Sequence, residues 1–408
     1  MIRITAALGL AAAIALPPFA LAQQAPAAAP AVPAWAVGKP AGAPNLAPHA
    51  PRLTLTPADQ VPVGNLRVPD GFKVELWASG IPGARMMAQG PNGTVFVGSR
   101  TIGRVYAVSE PATAGGPRQV RTIAQQLNQP NGIAVKDGNL YVIAIHRVHR
   151  YDGIEGKLDA PGQPVDLTQA FALPTEEHHG WKFASFGPDG RLYMNIGVPC
   201  NVCEHNRDTH SLLVSFNPDG SDRRIEARGI RNSVGFDFHP STRELWATNN
   251  GRDWAGNETP NDTLHRIRRS GEDHGFPYCA GNWQDPFMQP GRACSEFQAP
   301  AALLGPHTAA LGMRFYNGTA FPEAYRNQIF IARRGSWNRE QLSGYDVVVA
   351  KLDGQGTVTG IEPFLTGFRD EANNRFIGRP VDVLVRPDGS MLVSDEQNGA
   401  IYRVSATR

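Results

Sequence analysis

One short pattern recurs along this chain, a tight turn rich in Pro, Asn, Asp and Gly that runs directly into apolar, β-branched or aromatic residues. It is clearest at Pro91-Asn92-Gly93 before Thr94–Val97, and at Lys136-Asp137-Gly138 before Asn139–Val142. Pro188-Asp189-Gly190 before Leu192–Met194 and Pro387-Asp388-Gly389 before Met391–Ser394 repeat it. Looser copies are His239-Pro240 before Glu244–Ala247 and Asn327-Gln328 before Ile329–Ala332. Such turns suit hairpins because glycine accepts positive φ, and apolar runs bounded by them read as strands. Two copies continue into a further strand with near-identical words, Gly103-Arg104-Val105-Tyr106-Ala107-Val108 and Ala400-Ile401-Tyr402-Arg403-Val404. The six copies recur at roughly 45 to 85 residues, which suits blades of four short strands with variable insertions. An all-β, six-bladed β-propeller is therefore expected. A sandwich of this length would be unusually large, whereas a propeller gains core between each pair of neighbouring blades. Neither a long amphipathic helix nor a Gly-rich nucleotide fingerprint competes with that reading.

The N-terminus reads separately. A cation at Arg3, an apolar run from Ala6 to Leu16 and small residues at Ala20-Leu21-Ala22 predict a signal peptide over residues 1–22, cleaved after Ala22. Pro17-Pro18 interrupts the run too soon for a membrane anchor. Residues 23–51 are Ala/Pro-rich and predict a flexible lead-in, which leaves 52–408 for the propeller. The protein is expected to be periplasmic or secreted.

With 39 basic and 37 acidic residues the charge is nearly balanced, and no Lys/Arg run points to nucleic acid or an anionic membrane. Four cysteines in an exported chain allow two disulfides. Cys279 and Cys294 could close a moderate loop. Cys200-Asn201-Val202-Cys203 is read as a tight local disulfide, with half a metal site as the alternative. Glu204 stands where a haem-attachment motif requires histidine.

Four polar clusters could carry chemistry. His178-His179 lies just before the Pro188-Asp189-Gly190 turn, and histidine is a general base near neutral pH. Arg231-Asn232 offers a fixed cation beside an amide, suited to a carboxylate or developing negative charge. Thr248–Trp254, continuing through Asn257, Glu258, Asn261 and Asp262, is rich in the oxygen ligands that calcium takes, although its spacing matches no EF-hand. Arg333-Arg334-Gly335-Ser336-Trp337-Asn338-Arg339 follows a strand and could bind a flat anion, with Pro306-His307 and Gly378-Arg379-Pro380 near other strand ends. Each cluster could instead be an ordinary surface loop.

From about Leu66 to Val404 the chain resembles the soluble pyrroloquinoline-quinone (PQQ) dependent sugar dehydrogenases, most closely their sorbosone-dehydrogenase-like branch. The words that carry the resemblance begin with Gly83-Ala84-Arg85-Met86-Met87-Ala88, Pro130-Asn131-Gly132-Ile133-Ala134 and His178-His179-Gly180-Trp181. They continue with Gly197-Val198-Pro199-Cys200-Asn201-Val202-Cys203, Arg231-Asn232-Ser233-Val234-Gly235 and Asn250-Gly251-Arg252-Asp253-Trp254. Gly335-Ser336-Trp337-Asn338-Arg339 and Arg379-Pro380-Val381-Asp382-Val383 complete them.

The resemblance implies a propeller with PQQ across the top of its channel, held by Ca2+ and arginines. It assigns the general base to His179, with His178 where well-studied members carry an acidic residue. It sets Arg231 and Asn232 at the quinone oxygens that receive hydride. Calcium would be held by the backbone carbonyls of Gly251 and Arg252. Asn131, Arg379 and one of Arg333 or Arg334 would complete the cofactor site. Departures are Val381 in place of a second arginine, Arg334 where this branch carries histidine, and Thr263 where an acidic residue is usual.

The expected activity is oxidation of an aldose or sorbosone-like aldehyde, with electrons leaving to an external acceptor. The alternatives are a calcium-dependent lactonase-type propeller hydrolase and a non-catalytic binding propeller, since fold alone proves no function. Sequence names neither the sugar, the acceptor nor the oligomeric state.

Overall fold

The structure, a computed structural model, describes residues 32–40, 55–113, 115–288 and 292–407. The expected signal peptide lies outside them, as does the expected lead-in except for residues 32–40. All elements below belong to the unit running from Ala34 to Arg408.

Six sheets, each with a four-stranded antiparallel core, form the blades of a β-propeller, and one of them carries a fifth strand. Their innermost strands are Met87–Gln89, Gly132–Lys136, Ala184–Phe186, Phe236–Phe238, Ala310–Phe315 and Pro380–Val385, in blades one to six. Each of the six sequence copies is the turn between a blade's innermost strand and its second strand, for example Val95–Val97 in blade one and Met391–Asp395 in blade six. The turn geometry explains the motif: Gly93, Gly138, Gly190 and Gly389 have φ between +75° and +91°, the left-handed region where a Cβ is penalised. In the two loose copies Arg243 (φ +61°) and Asn327 (φ +58°) adopt that conformation without glycine.

Blade six is completed from both ends of the propeller. Phe72–Ala78 pairs antiparallel with Ala400–Ala406, adding an outer strand to three strands supplied by the C-terminal end. The ring closes in this way without an open seam.

The second strands Leu192–Ile196, Leu245–Asn249 and Met391–Asp395 are buried along their whole length, so they lack the alternation of a one-sided sheet. Both faces of a blade pack on neighbours. Val95, Val97 and Tyr106 of blade one meet Leu392 and Ile401 of blade six. Tyr141 and Ile143 of blade two meet Leu192 and Met194 of blade three. Near the axis, buried carboxylates join the inner strands: Asp382 accepts the Met87 amide (2.9 Å) and Asp237 accepts the Phe315 amide (2.8 Å).

The widest gap between sequence copies holds an insertion in blade four. There Glu272–Asp273 adds in parallel to Arg224–Arg228 of blade three, and the Cys279–Cys294 disulfide closes a loop. Cys200 and Cys203 form the second disulfide. Among the described residues no helix is long and apolar enough to cross a membrane.

Candidate active site

The start of an innermost strand and the end of its antiparallel second strand must lie at the same end of a blade. That rule gathers the sequence candidates. Arg85, Gln129, His179, Arg231, Asn232, His307 and Arg379 shortly precede inner strands, while Arg100, Asn250, Arg334 and Glu396 follow second strands. Most of them line a cavity of about 450 Å³, together with Glu177, His178, Trp181, Gly251, Asp253, Asp262, Trp337 and Asn338. The volume suits a cofactor-sized ligand. Four wall residues other than glycine, Gln129, His179, His307 and Ala309, have φ between +51° and +54°. Such backbone strain costs of order 1 kcal/mol each and collects at functional sites.

His179 is buried, with its ring 4.0 Å from that of His178 and 5.6 Å from Trp181. A Cβ at Gly197 would lie 2.5 Å from His179 Cβ, so a glycine there lets the histidine turn pack against the blade. His179 Nδ1 lies 2.9 Å from the Val198 carbonyl. A carbonyl only accepts, so Nδ1 carries the proton and Nε2 keeps its lone pair. Burial first, then His178 and Arg231, hold the His179 pKa well below its ordinary value, so the ring is neutral at pH 7. Burial and the same arginine, with Arg100, push His178 down to about 3.

Arg231 is held from three sides. Its Nε and Nη2 donate to the carbonyl and side-chain oxygens of Asn201 (2.8 and 2.9 Å), and its Nη1 donates to the Gly251 carbonyl (2.9 Å). Burial lowers its pKa to about 10 against the opposing pull of Asp253, leaving it a cation at neutral pH. The Asn232 backbone amide donates to Asn249 Oδ1 (3.0 Å), and the buried Asn232 Oδ1 has no partner among the described residues.

A second cationic group surrounds Glu396. This fully buried carboxylate pairs with both Arg85 and Arg334, with Arg379 and Arg100 in electrostatic reach. Burial alone would raise the Glu396 pKa, but Arg334, Arg85 and Arg379 outweigh it and hold the group at about 2. Four guanidinium groups thus face one carboxylate. Arg379, which is not on the cavity wall, lies over Phe376 (4.3 Å to the ring centroid), and its buried Nε has no partner among the described residues.

Of the remaining candidates, Asn131 sits behind this wall, Arg333 lies away from it and Gly251 lies on it. Asn131 accepts Arg85 Nε (2.6 Å) and donates to the Lys182 carbonyl (2.6 Å), fixing the arginine from behind. Arg333 forms a bidentate pair with Asp346 and also donates to the Leu304 carbonyl (3.0 Å), and it is absent from the cavity wall. Gly251 lines the cavity, and its amide donates to Asp262 Oδ1 (2.8 Å). The Arg252 side chain turns to a buried pair with Asp285 (2.8 Å).

Arg85, Arg100, Glu396, Asn201 and Lys182 were given no role by the sequence, although Arg85 and Asn201 lie in words that carry the resemblance. Glu396 and Arg100 could have been found by asking which polar residues follow each repeat strand. Lys182, fully buried with Nζ donating to the Gly180 carbonyl, had no signal beyond its nearness to the histidines.

The Glucose / Sorbosone dehydrogenase family profile matches residues 165–403. An uncharacterised protein of Borreliella burgdorferi is 32% identical over 363 residues, covering 86% of this chain and 93% of that one. The holo PQQ domain of a pyranose dehydrogenase from Coprinopsis cinerea superposes with a TM-score of 0.67 at 19% identity, covering 83% of this chain and 97% of the other. A calcium structure of a Trichoderma reesei carbohydrate-active enzyme of family AA12 gives 0.69 at 16% identity, covering 84% and 97%. At these identities the solved structures speak to the fold. The chain belongs to the glucose/sorbosone dehydrogenase family, and its propeller has the fold of the Coprinopsis PQQ domain.

Proposed function

We propose that this protein is an exported, PQQ- and calcium-dependent dehydrogenase that oxidises an aldose or a sorbosone-like sugar aldehyde and passes electrons to an external acceptor. The observation that carries the reading is a neutral, buried histidine sharing one cavity wall with clustered arginines whose charge a single carboxylate does not balance. PQQ bears three carboxylates, so the residues fit it: Arg85, Arg100, Arg334 and Arg379 offer the complementary charge. The partnerless Asn232 Oδ1 and Arg379 Nε leave polar capacity for a ligand. The PQQ domain of the Coprinopsis relative has the same fold, which supports the assignment.

When bound, PQQ supplies the two-electron redox chemistry by accepting hydride. His179 Nε2 removes the proton of the sugar hydroxyl or aldehyde hydrate, while the Val198 carbonyl keeps the ring in the required tautomer. Arg231, fixed in advance by Asn201 and Gly251, stabilises negative charge developing beside it. Asn232 orients the same edge of the ligand. Asn131 and Glu396 hold Arg85 in place, and Arg334 and Arg379 bind carboxylate. In this proposal Arg333, engaged by Asp346, makes no direct contact.

For calcium, the carbonyls of Gly251 and Arg252 are the proposed ligands; the Gly251 oxygen would be shared with Arg231 Nη1, and Asp253 and Asp262 beside it on the cavity wall would offset the added positive charge. Burial raises the pKa of both carboxyls, a penalty on their charged forms that a divalent cation would offset. Two disulfides, with no free cysteine among the described residues, support an oxidising compartment and the expected export signal at residues 1–22. Among the described residues no three His, Cys, Asp or Glu side chains group as metal ligands, so a calcium ion here would depend on backbone carbonyls.

The deciding experiment incubates metal-free protein with PQQ and calcium, then follows dye reduction with a panel of sugars and sugar aldehydes. Sugar-dependent reduction that needs both additions is expected. Failure to bind PQQ would end the proposal.

A further inference from the structure

A segment remote in sequence from the blades forms part of the cavity wall. Ala34–Ala36 makes one 3-10 turn, and the chain around it is fastened by its backbone. The carbonyls of Ala34 and Val37 accept the amide and the side-chain Nδ2 of Asn201 (2.8 and 2.7 Å), and the Trp35 carbonyl accepts Trp254 Nε1 (3.0 Å). Asn201 is fully buried and is the residue that grips Arg231. The strap is therefore tied to the framework of the site, on a group whose polar atoms could not go unpaired.

Its one large side chain lines the cavity. The Trp35 ring is tilted on Trp254 (centroids 6.2 Å apart), which stands edge-on to Trp337 (5.3 Å). Lys39 Nζ lies 5.7 and 5.1 Å from the Trp35 and Trp254 centroids. Three indoles, those of Trp35, Trp181 and Trp337, reach a cavity otherwise dominated by charged and amide groups. Trp181 has one face covered by the Arg100 guanidinium at 3.7 Å. Trp35, flanked by Lys39 Nζ and the Trp254 ring, and Trp337, edge-on to Trp254, supply the other indole surface of the cavity wall. A sugar ring has an apolar C–H face and a polar rim, which is the complement of an indole set among amides and charges.

We propose that Trp35 is a specificity-determining wall of the substrate site, stacking on the ring of a cyclic sugar while the arginine-rich side holds the cofactor. The inference rests on the dehydrogenase reading above. Because the backbone of the strap is held before substrate arrives, little ordering cost remains on binding.

The test uses full-length wild type, Trp35→Ala and Trp35→Phe, each loaded with PQQ and calcium. D-glucose serves as the ring substrate and D-glyceraldehyde as a substrate without a hexose ring. Trp35→Ala is expected to raise KM for glucose by roughly three- to thirtyfold with a much smaller change in kcat, the pattern of lost ground-state binding. KM for glyceraldehyde should move little, and Trp35→Phe should recover part of the loss. A second readout needs no activity: in cofactor-free wild type, hydrogen exchange at the Asn201 amide should be slow, because Ala34 caps it. Rapid exchange there would overturn the seated strap. An active wild type with the same glucose KM in Trp35→Ala, or an equal rise for both substrates, would overturn the role of Trp35 alone. A wild type that binds PQQ but oxidises no sugar would remove the dehydrogenase reading and this inference with it.

Discussion

Replacing Glu396 with Gln keeps the side chain's shape and removes the one carboxylate that Arg85 and Arg334 share. The group is fully buried, and the balance of burial against three arginines sets its pKa near 2, from an ordinary 4.5. A carboxylate depressed on folding contributes stability that is complete above its ordinary pKa and lost as pH falls through the folded value. The interval corresponds to about 3 kcal/mol. Breaking a buried ion pair from one side costs about 3–5 kcal/mol, because the partner charges stay buried and uncompensated. For a propeller of this size that is a fall in Tm of about 5 °C at pH 7. The deficit should shrink as pH drops from about 4.5 toward 2, where the wild type loses the same charge. The assay is thermal melting of both proteins across pH, with and without PQQ. An anionic ligand should raise Tm more in the variant than in the wild type, since it replaces the missing counter-charge. Equal melting temperatures at pH 7 would refute the shared-carboxylate argument. Equal PQQ-induced shifts would refute the placement of the cofactor carboxylates.

Further outcomes follow from the same geometry. His179→Ala should lower kcat by roughly a hundredfold to ten-thousandfold with PQQ binding largely kept, and near-normal turnover would remove the histidine from the mechanism. Because burial, His178 and Arg231 depress the His179 pKa, wild-type kcat/KM should show no histidine inflection between pH 6 and 8; a break near 6.5 would show that the ring titrates as though exposed. Burial lowers Lys182 to about 7, so above that pH the unfolded chain binds the extra proton and the fold gains stability toward pH 10.5. Wild type should therefore gain about 2 kcal/mol over Lys182→Met between pH 7 and 9, read from urea midpoints, and parallel pH curves would contradict this. Arg379→Ala should weaken PQQ binding by about 2–5 kcal/mol in a titration at fixed calcium, with Arg379→Lys recovering only part; unchanged affinity would place the cofactor elsewhere.

The repeat alone determined the architecture. A turn that demands positive φ, followed by a strand buried on both faces, is written locally, so all six copies mark the same hairpin of successive blades. It also brought most candidates to one end, since residues before an inner strand and after a second strand are neighbours by topology. Which of two adjacent arginines serves the site was not legible. Side chains on a strand alternate in direction, and only the ring of blades decides that Arg333 meets Asp346 while Arg334 reaches Glu396. The four arginines around Glu396 come from two blades and the connection entering a third, so their shared charge exists only once the ring is closed. The strap is the clearest case. Ala/Pro composition predicts a flexible lead-in, but the backbone carbonyls of Ala34, Trp35 and Val37 accept from Asn201 and Trp254 and draw Ala34–Lys39 into the wall. Composition sets the local cost of ordering a segment, and the docking surface that offsets it is made by residues about 165 to 220 positions away.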